Sequence, residues 1–335
     1  MNAGATMLSS RRRGEHAVKH SLVASLALVL LVAAIPARAQ TDFPKREITL
    51  IVGFAPGGSE DLRARAVAAK LSELLGQPVI VANRGGASGA IGLALVAKAA
   101  PDGYTLGSIS ASPMVFAPHL QKVEYKPSDF TYLAGSANQP FCICVRQDAP
   151  WQTMQELVAF AKQNPGKPNY GHPGNGHQSH VVVAMLNIAA GTSMTGVPFK
   201  GDSDAITSLL GGHIEMASLA STFVPHARAG KLRPLALIGD NRLKLFPDIP
   251  TLRELGYNVN TKAPALLGYA GPKGLPPEVR RKLESAFAQA LRSPEFAAML
   301  EKLDNELYYR DGETFGKQVA ELYDAMGTML KQLGI

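Results

Sequence analysis

Cysteine is scarce in this chain: its 335 residues include only Cys142 and Cys144, both in the segment FCICV. Alternate residues of a strand point to the same face, so the two thiols would lie about two residues' rise apart, too far for an unstrained disulfide. The segment is apolar, and free cysteine behaves as a small hydrophobic residue. We therefore predict two free, buried thiols, with a disulfide or a metal-binding pair as the alternative.

Long apolar runs are absent after residue 40, where no segment approaches the ~18 uninterrupted apolar residues of a membrane span. The first forty residues differ, because a basic segment at 11–19 precedes an apolar stretch at 22–35 and then Ala37-Arg38-Ala39. This order is typical of a secretory signal peptide, here 1–39, which we predict is cut after Ala39. An uncleaved anchor helix is the alternative. The mature protein is expected outside the cytoplasm.

A large basic excess is also missing once the predicted signal is set aside. The whole chain has a formal net charge of +7, from 34 Lys and Arg against 27 Asp and Glu. The predicted signal holds five of these basic residues and one of the acidic ones, which leaves 29 against 26 and a net charge of +3. Because no cluster of Lys and Arg remains, we expect no nucleic-acid partner.

The motifs of several enzyme classes are absent. Gly53 and Gly58 have the spacing of a nucleotide-binding P-loop, but Ser59 stands where that loop needs lysine. Neither a Gly-x-Ser-x-Gly elbow nor a His-Glu-x-x-His motif occurs, and no paired carboxylates lie in apolar settings at strand ends. We therefore expect no cofactor and no catalysis, with an exported enzyme as the less favoured alternative.

What the sequence does contain is a regular alternation of strand-like and helix-like segments joined by short Gly/Pro turns. The apolar strands favour parallel sheets covered by helices on both faces, which is an α/β fold. About ten strands are too many for one simple sheet of this length, so we predict two α/β lobes with a cleft between them. Extended segments near 131–146 and 232–240 are candidates for the connections between the lobes.

The predicted elements can be stated by residue. The strands are placed at 48–54, 78–82, 105–110, 131–137, 141–145, 169–171, 196–199, 214–218 and 232–238. The helices are placed at 61–75, 90–99, 153–161, 179–190, 204–210, 224–229, 277–291, 294–303 and 313–333.

The first candidate binding element is the turn Pro56-Gly57-Gly58-Ser59, which follows a strand and precedes a helix. At such a position the backbone N–H groups and the helix dipole favour an anion, and glycine allows close approach. Asp61 and Arg65 lie four residues apart on the same helix. The pair has two open interpretations, a surface ion pair or a functional one.

The second candidate is another glycine-rich turn between a strand and a helix, YGHPGNGHQSH at 170–180. Its residues His172, His177 and His180 match no fixed zinc-ligand spacing, so metal binding is an alternative and no metal site is predicted. Whether these histidines contact a ligand or only pack stays open. Lys200, Ser218 and Ser221 are weaker candidates near strand ends.

An ordered set of motifs extends over nearly the whole chain after residue 40. It includes Phe54-Ala55-Pro56-Gly57-Gly58-Ser59 after Ile48 to Val52, Pro101-Asp102-Gly103-Tyr104, Asn164-Pro165-Gly166-Lys167, Lys200-Gly201, Ala229-Gly230-Lys231-Leu232 and Phe246-Pro247-Asp248-Ile249-Pro250. The set resembles the Bug-type solute-binding proteins, which are periplasmic receptors associated with tripartite tricarboxylate transporters.

The resemblance implies a two-lobed flytrap of the type II periplasmic-binding-protein class, with two sheets covered by helices. The lobes would comprise 40–138 with 239–335, and 139–238. The implied ligand is a small organic carboxylate: a dicarboxylate or tricarboxylate, an acidic amino acid or an aromatic acid. The protein would be a periplasmic monomer that delivers its ligand to membrane transporter subunits, with a sensor-type binding protein as the alternative.

The resemblance also implies which residues line the ligand site. Together with the two turns, it gives the predicted ligand-binding residues as Phe54, Ala55, Pro56, Gly57, Gly58, Ser59, Ser110, Ser112, His172, Gly174, Asn175, Gly176, His177, Lys200, Gly201, Ser218 and Ser221. The sequence shows no evident buried arginine clamp, so pocket shape and hydrogen bonds are expected to set selectivity. Phe54 and Tyr269 are the candidates for an aromatic wall.

Overall fold

The computed structural model describes residues 42–239, 241–259 and 266–333 of the chain. The predicted signal peptide, 1–39, lies outside the described residues. Within the described ranges, no helix is both long enough and apolar enough to cross a membrane.

Two sheets form the framework of the described residues. The first contains β1 (Ile48–Val52), β2 (Val79–Asn83), β3 (Thr105–Ser110), β4 (Phe130–Asn138), β10 (Leu267–Pro272) and β11 (Glu306–Asp311), in the spatial order β11-β4-β10-β3-β1-β2. The second contains β5 (Phe141–Arg146), β6 (Gly166–His172), β7 (Met194–Pro198), β8 (Met216–Ala220) and β9 (Leu232–Ile238), in the order β7-β6-β8-β5-β9.

Helices pack on both sheets. They are α1 (Ser59–Leu75), α2 (Ala90–Ala97), α3 (Ala117–Leu120), α4 (Met154–Gln163), α5 (Gln178–Ala190), α6 (Asp202–Leu210), α7 (Phe223–Arg228), α8 (Pro277–Ala290), α9 (Pro294–Lys302) and α10 (Gly312–Leu333). Local sequence sets several ends. Gly76 adopts φ +68° and ends α1, while the hydroxyl of Thr153 accepts from the N–H of Glu156 at 3.2 Å and begins α4.

The prediction of parallel sheets is right for only some of the strand pairs, because both sheets are mixed. β1 runs parallel to β2 and β3, but β10 runs antiparallel to β3 and β4. In the second sheet β5 runs antiparallel to β8 and β9, while β6 is parallel to β7 and β8. A continuous apolar run indicates a strand covered on both faces, and it carries no information on strand direction.

The chain passes from the first sheet to the second between Asn138 and Phe141, where β4 ends and β5 begins. After β9 it returns to the first sheet at β10. This strand membership supports the lobe boundaries near 139 and 238, which we keep as a proposal.

The cysteine prediction is confirmed. Cys142 and Cys144 lie on β5 and are both free and buried. Burial raises the pKa of the Cys144 thiol well above its ordinary value, so it is protonated at neutral pH. Trp151 is buried against Phe160 with ring centroids 5.0 Å apart, and so it is a packing residue.

Candidate functional site

A cavity lies between the two sheets, where the turn after β1 faces the start of α5. The space in it that a water-sized sphere can occupy is about 20 Å³, which is room for about one water molecule. The predicted ligand-binding residues that line it are Phe54, Gly58, Ser59, Ser110, Ser112 and His177. Residues from both glycine-rich turns therefore reach one cavity.

The turn before α1 is held in shape by Asp61. One carboxylate oxygen, Oδ2, accepts from the backbone N–H of Gly57 and from Arg65 Nε, each at 2.9 Å, and Oδ1 accepts from Asn83 Nδ2 at 2.9 Å. Burial alone would raise the pKa of Asp61, but these hydrogen bonds outweigh it and the pKa is lowered. The Asp61–Arg65 pair thus holds the turn in shape. Of the two interpretations left open by the sequence, a simple surface ion pair and a functional pair, this contact with the turn favours the second.

Helix α1 begins without a side-chain cap from the described residues. Gly58 is its N-cap residue and has φ −72°, while Gly57 before it has φ +79°, a conformation that favours glycine. The first N–H groups of a helix have no intrahelical acceptor. Gly58 and Ser59 line the cavity, so this helix end is available to an anion there.

The two halves of the molecule, one built on each sheet, touch directly beside this turn. The N–H of Ala55 donates to the carbonyl of Lys200 at 3.2 Å, and Ser203 Oγ donates to the carbonyl of Pro56 at 3.0 Å. A Cβ on Gly201 would lie 3.1 Å from the Ala55 nitrogen, so glycine permits this close approach. The segments Ala55-Pro56 and Lys200-Gly201 therefore form a contact between the halves at the edge of the cavity.

The histidines of the second turn are used mainly in shaping it. His177 is the N-cap residue of α5, and its Nδ1 accepts from the N–H of Ser179 at 3.1 Å, which places the ring proton on Nε2. His172 is fully buried, bonds through Nδ1 to the carbonyl of Gly174 at 2.8 Å, and stacks on His180 with centroids 4.6 Å apart.

All three histidines are neutral near pH 7. Burial, followed by the neighbouring His172 and His180, lowers the pKa of His177 to about 3. Burial and the charge of His180 lower the pKa of His172 to about 4, and burial lowers that of His180. Within the part of the chain that the structure describes, no group of three or more His, Cys, Asp or Glu side chains is placed to hold a metal.

A buried arginine lines the cavity, contrary to the expectation that none would act as a clamp. Arg63 of α1 has 2% exposure. With the Asn305 amide oriented to satisfy its neighbours, its oxygen accepts from Arg63 Nη1 and its nitrogen donates to Ser221 Oγ, both at 3.0 Å. The sequence reasoning missed Arg63, since arginine on a helix is usually solvated and its partner Asn305 lies far along the chain.

Two acidic residues of the cavity wall were also missed. Glu60, in the first turn of α1, and Asp202, at the start of α6, are each 6% exposed. Burial raises the pKa of Glu60, opposed by the charge of Arg63 and the hydroxyls of Ser110 and Ser108. Burial likewise raises the pKa of Asp202 to about 6, opposed mainly by hydrogen bonds from Thr222 and Ala220. In a sequence, an acidic residue in the first turn of a helix is usually explained by its favourable interaction with the helix dipole. Only burial in the structure distinguishes a cavity-lining acid from such a residue.

The other predicted residues lie around the cavity and do not line it. Gly174, Asn175 and Lys200 border a separate open groove. His172 and Ser218 are fully buried, and Ser221 bonds to Asn305. Tyr269 stacks on Phe287 at 4.8 Å in the core of the first half, whereas Phe54 does line the cavity.

Comparison with known proteins identifies the family. Residues 63–335 match the family described as tripartite tricarboxylate transporter family receptor. The chain belongs to this receptor family. A relative from Cupriavidus necator, the UPF0065 protein in gbd 5'region, is 37% identical over 322 residues, which cover 96% of this chain and 98% of that protein.

Solved structures of similar proteins share the fold of this receptor-family chain. The periplasmic binding protein BugD has a TM-score of 0.83 at 30% identity, with 88% of this chain and 99% of BugD covered. MatC from Rhodopseudomonas palustris with bound malate has a TM-score of 0.80 at 29% identity, covering 85% and 99%. Rpa4515 from R. palustris with adipate has a TM-score of 0.81 at 28% identity, covering 88% and 99%. The predicted Bug-type family and two-lobed α/β fold are confirmed.

Proposed function

We propose that this protein is an exported solute-binding protein that captures a small organic carboxylate in the cavity and delivers it to a membrane transporter. The observation that carries the proposal is the pairing, at one cavity wall, of the uncapped start of α1 with the buried Arg63. Helix N-terminal N–H groups and a guanidinium are both donors that suit a carboxylate.

The similar structures support the ligand class. MatC was solved with malate and Rpa4515 with adipate, and both ligands are dicarboxylates. For this chain we propose Gly58, Ser59, Ser112, His177 and Arg63 as the residues that hold the carboxylate, with Phe54 as an apolar wall. Of the other predicted residues, Ser110 lines the same cavity.

The proposed location is the periplasm, reached after removal of the signal peptide near Ala39. The similarity to the periplasmic protein BugD supports this location. We propose a monomer that hands its ligand to transporter subunits. Mass spectrometry of the secreted protein would test processing, because cleavage after Ala39 leaves a chain that begins with Gln40.

A thermal-shift panel of carboxylates tests the function. Acetate, benzoate, malate, adipate, citrate and glutamate are compared with sodium chloride at equal ionic strength. A ligand that binds only the folded state at 100 times its Kd stabilises it by about 2.7 kcal/mol, so we expect one chemical class to raise the melting temperature. The proposal fails if no carboxylate shifts the transition while Zn²⁺ does, or if a bound acid is turned over.

A further inference from the structure

Three charged side chains share the inner wall of the cavity, and they come from both halves of the molecule. Glu60 and Arg63 lie on α1, and Asp202 begins α6. Each is more than nine-tenths buried. Because the interior is a poor solvent for charge, buried ionisable groups normally find partners in the protein or in a ligand.

Each of the three nevertheless keeps an atom without a partner among the described residues. These atoms are Glu60 Oε1, Arg63 Nη2 and Asp202 Oδ1. The other oxygen of Asp202 accepts from the N–H of Ala220 at 3.3 Å and from Thr222 Oγ1 at 3.2 Å, so the side chain is held with Oδ1 left over. Ser110 Oγ is a further unpartnered atom of a lining residue, so the wall presents one unmatched guanidinium donor, two unmatched carboxylate oxygens and one hydroxyl.

A plain carboxylate satisfies only part of this set. Ionised carboxylates are acceptors and carry no donor, so they match Arg63 and the start of α1. Beside Glu60 and Asp202 a second carboxylate of the ligand would bring like charges together and leave both acceptors unpaired. A ligand that satisfies all three residues needs a cationic N–H group as well as a carboxylate.

We propose that the ligand is an amino-carboxylate, in which Arg63 and the start of α1 receive the carboxylate and Glu60 with Asp202 receive the ammonium group. The inference rests on the proposed carboxylate-binding function and narrows its ligand class. Because Glu60 and Asp202 come from opposite halves, the ammonium group also links the two halves when it binds.

Matched ligand pairs test the inference by isothermal titration calorimetry on the processed full-length protein. Each pair differs by one amino group: glutarate with L-glutamate, succinate with L-aspartate, and benzoate with 4-(aminomethyl)benzoate. We expect the amino member of at least one pair to bind about tenfold more tightly or better than its partner, the ratio that one charge-assisted hydrogen bond supplies.

Variants of the same size and shape test whether Glu60 and Asp202 cause the preference for the amino-bearing ligand. Glu60→Gln and Asp202→Asn should each lower the affinity for the amino member about tenfold and leave its partner's affinity unchanged or higher. Arg63→Gln should weaken both members together. Glu73→Gln is the matched control, because Glu73 lies on the same helix with its side chain 65% exposed, and it should change neither affinity.

The outcomes separate this inference from the proposed function. The inference is overturned if carboxylates bind but the two members of every pair have equal affinity. That result would mean that water molecules, and not the ligand, donate hydrogen bonds to Glu60 and Asp202. It is also overturned if the partner without nitrogen binds more tightly, or if Glu60→Gln weakens both members equally. If no member of any pair binds but another acid of the thermal-shift panel does, the inference is overturned and the proposed function stands; if no carboxylate binds at all, both fail.

Discussion

The side chain of Asp61 accepts a hydrogen bond from the backbone N–H of Gly57 at 2.9 Å, so α1 holds the turn that precedes it. The same carboxylate also accepts from Arg65 and Asn83. Gly57 needs this support because it occupies the left-handed region at φ +79°. The shape of the turn, and hence the position of Gly58 and Ser59 at the cavity, depends on one buried carboxylate.

Replacement of Asp61 by alanine should therefore damage both stability and binding. Three charge-assisted hydrogen bonds to a buried group are lost, and we expect the free energy of unfolding to fall by about 2–4 kcal/mol. Carboxylate affinity should fall at least tenfold, since the N–H groups proposed to bind the anion lose their alignment. Urea denaturation and calorimetry measure the two effects. Full affinity in a destabilised Asp61→Ala protein would show that the turn does not need this carboxylate.

Gly58 offers a test that leaves the fold intact. Its φ of −72° is open to any residue, and an added Cβ would lie 3.5 Å from the Ala55 carbonyl, an ordinary contact. Gly58→Leu should therefore fold, with its side chain occupying the cavity, and should lose carboxylate binding. Gly58→Ala is the control and should keep most of the affinity. Wild-type affinity in Gly58→Leu would place the ligand elsewhere.

The start of α5 makes stability depend on pH. His177 has a folded-state pKa of about 3, below its ordinary 6.5, so its contribution is complete above pH 6.5 and is lost as the pH falls towards 3. At pH 5 the loss is about 2 kcal/mol, from 1.36 kcal/mol per pKa unit. His177→Asn keeps a good N-cap and removes the titrating group.

Chemical denaturation at pH 7.5 and pH 5 measures this difference. Between the two values, His177→Asn should lose about 2 kcal/mol less stability than the wild type. His172 and His180 titrate in both proteins, so the difference between the two proteins reports His177 together with its interaction with these two rings. Equal losses in the two proteins would mean that His177 is protonated in the fold without penalty.

Asp202 makes stability fall as the pH rises, which is the opposite of the effect of His177. Burial raises its folded-state pKa to about 6 from the ordinary 3.8, so the stability present below pH 3.8 is lost as the pH rises through 6. The loss above pH 6 is about 3 kcal/mol. Asp202→Asn can still accept from Ala220 and Thr222, and it should be more stable than the wild type at pH 7.5 but close to it at pH 4. A variant that is less stable at both pH values would contradict this assignment.

Much of the fold could be predicted from periodicity and turn residues, because β3 and β9 have the expected bounds and α1 and α8 differ by only one or two residues. β10 was missed since LGYAGP contains two glycines and a proline, and its strand character comes from pairing with β3 and β4. Strand direction was missed because apolar pattern reports burial alone.

The part of the candidate site that is built from consecutive residues could be predicted from the sequence. A strand, a glycine-rich turn and a helix follow one another in sequence at 48–75, so the turn proposed to bind an anion could be picked out from the sequence. Arg63, Glu60 and Asp202 could not, because their role depends on burial between two halves of the molecule. Arg63 bonds there to Asn305 and Asp202 to Thr222, and no local sequence pattern connects these partners to them.

The central claim is that the cavity wall formed by Arg63 and the start of α1 holds a carboxylate. Calorimetry of Arg63→Gln with the tightest-binding acid of the panel tests it most directly, with Arg281→Gln, whose side chain is 57% exposed on α8, as the control. We predict that Arg63→Gln loses at least a hundredfold in affinity, about 2.7 kcal/mol, while the control binds as the wild type does. Unchanged affinity in a folded Arg63→Gln protein would contradict the claim.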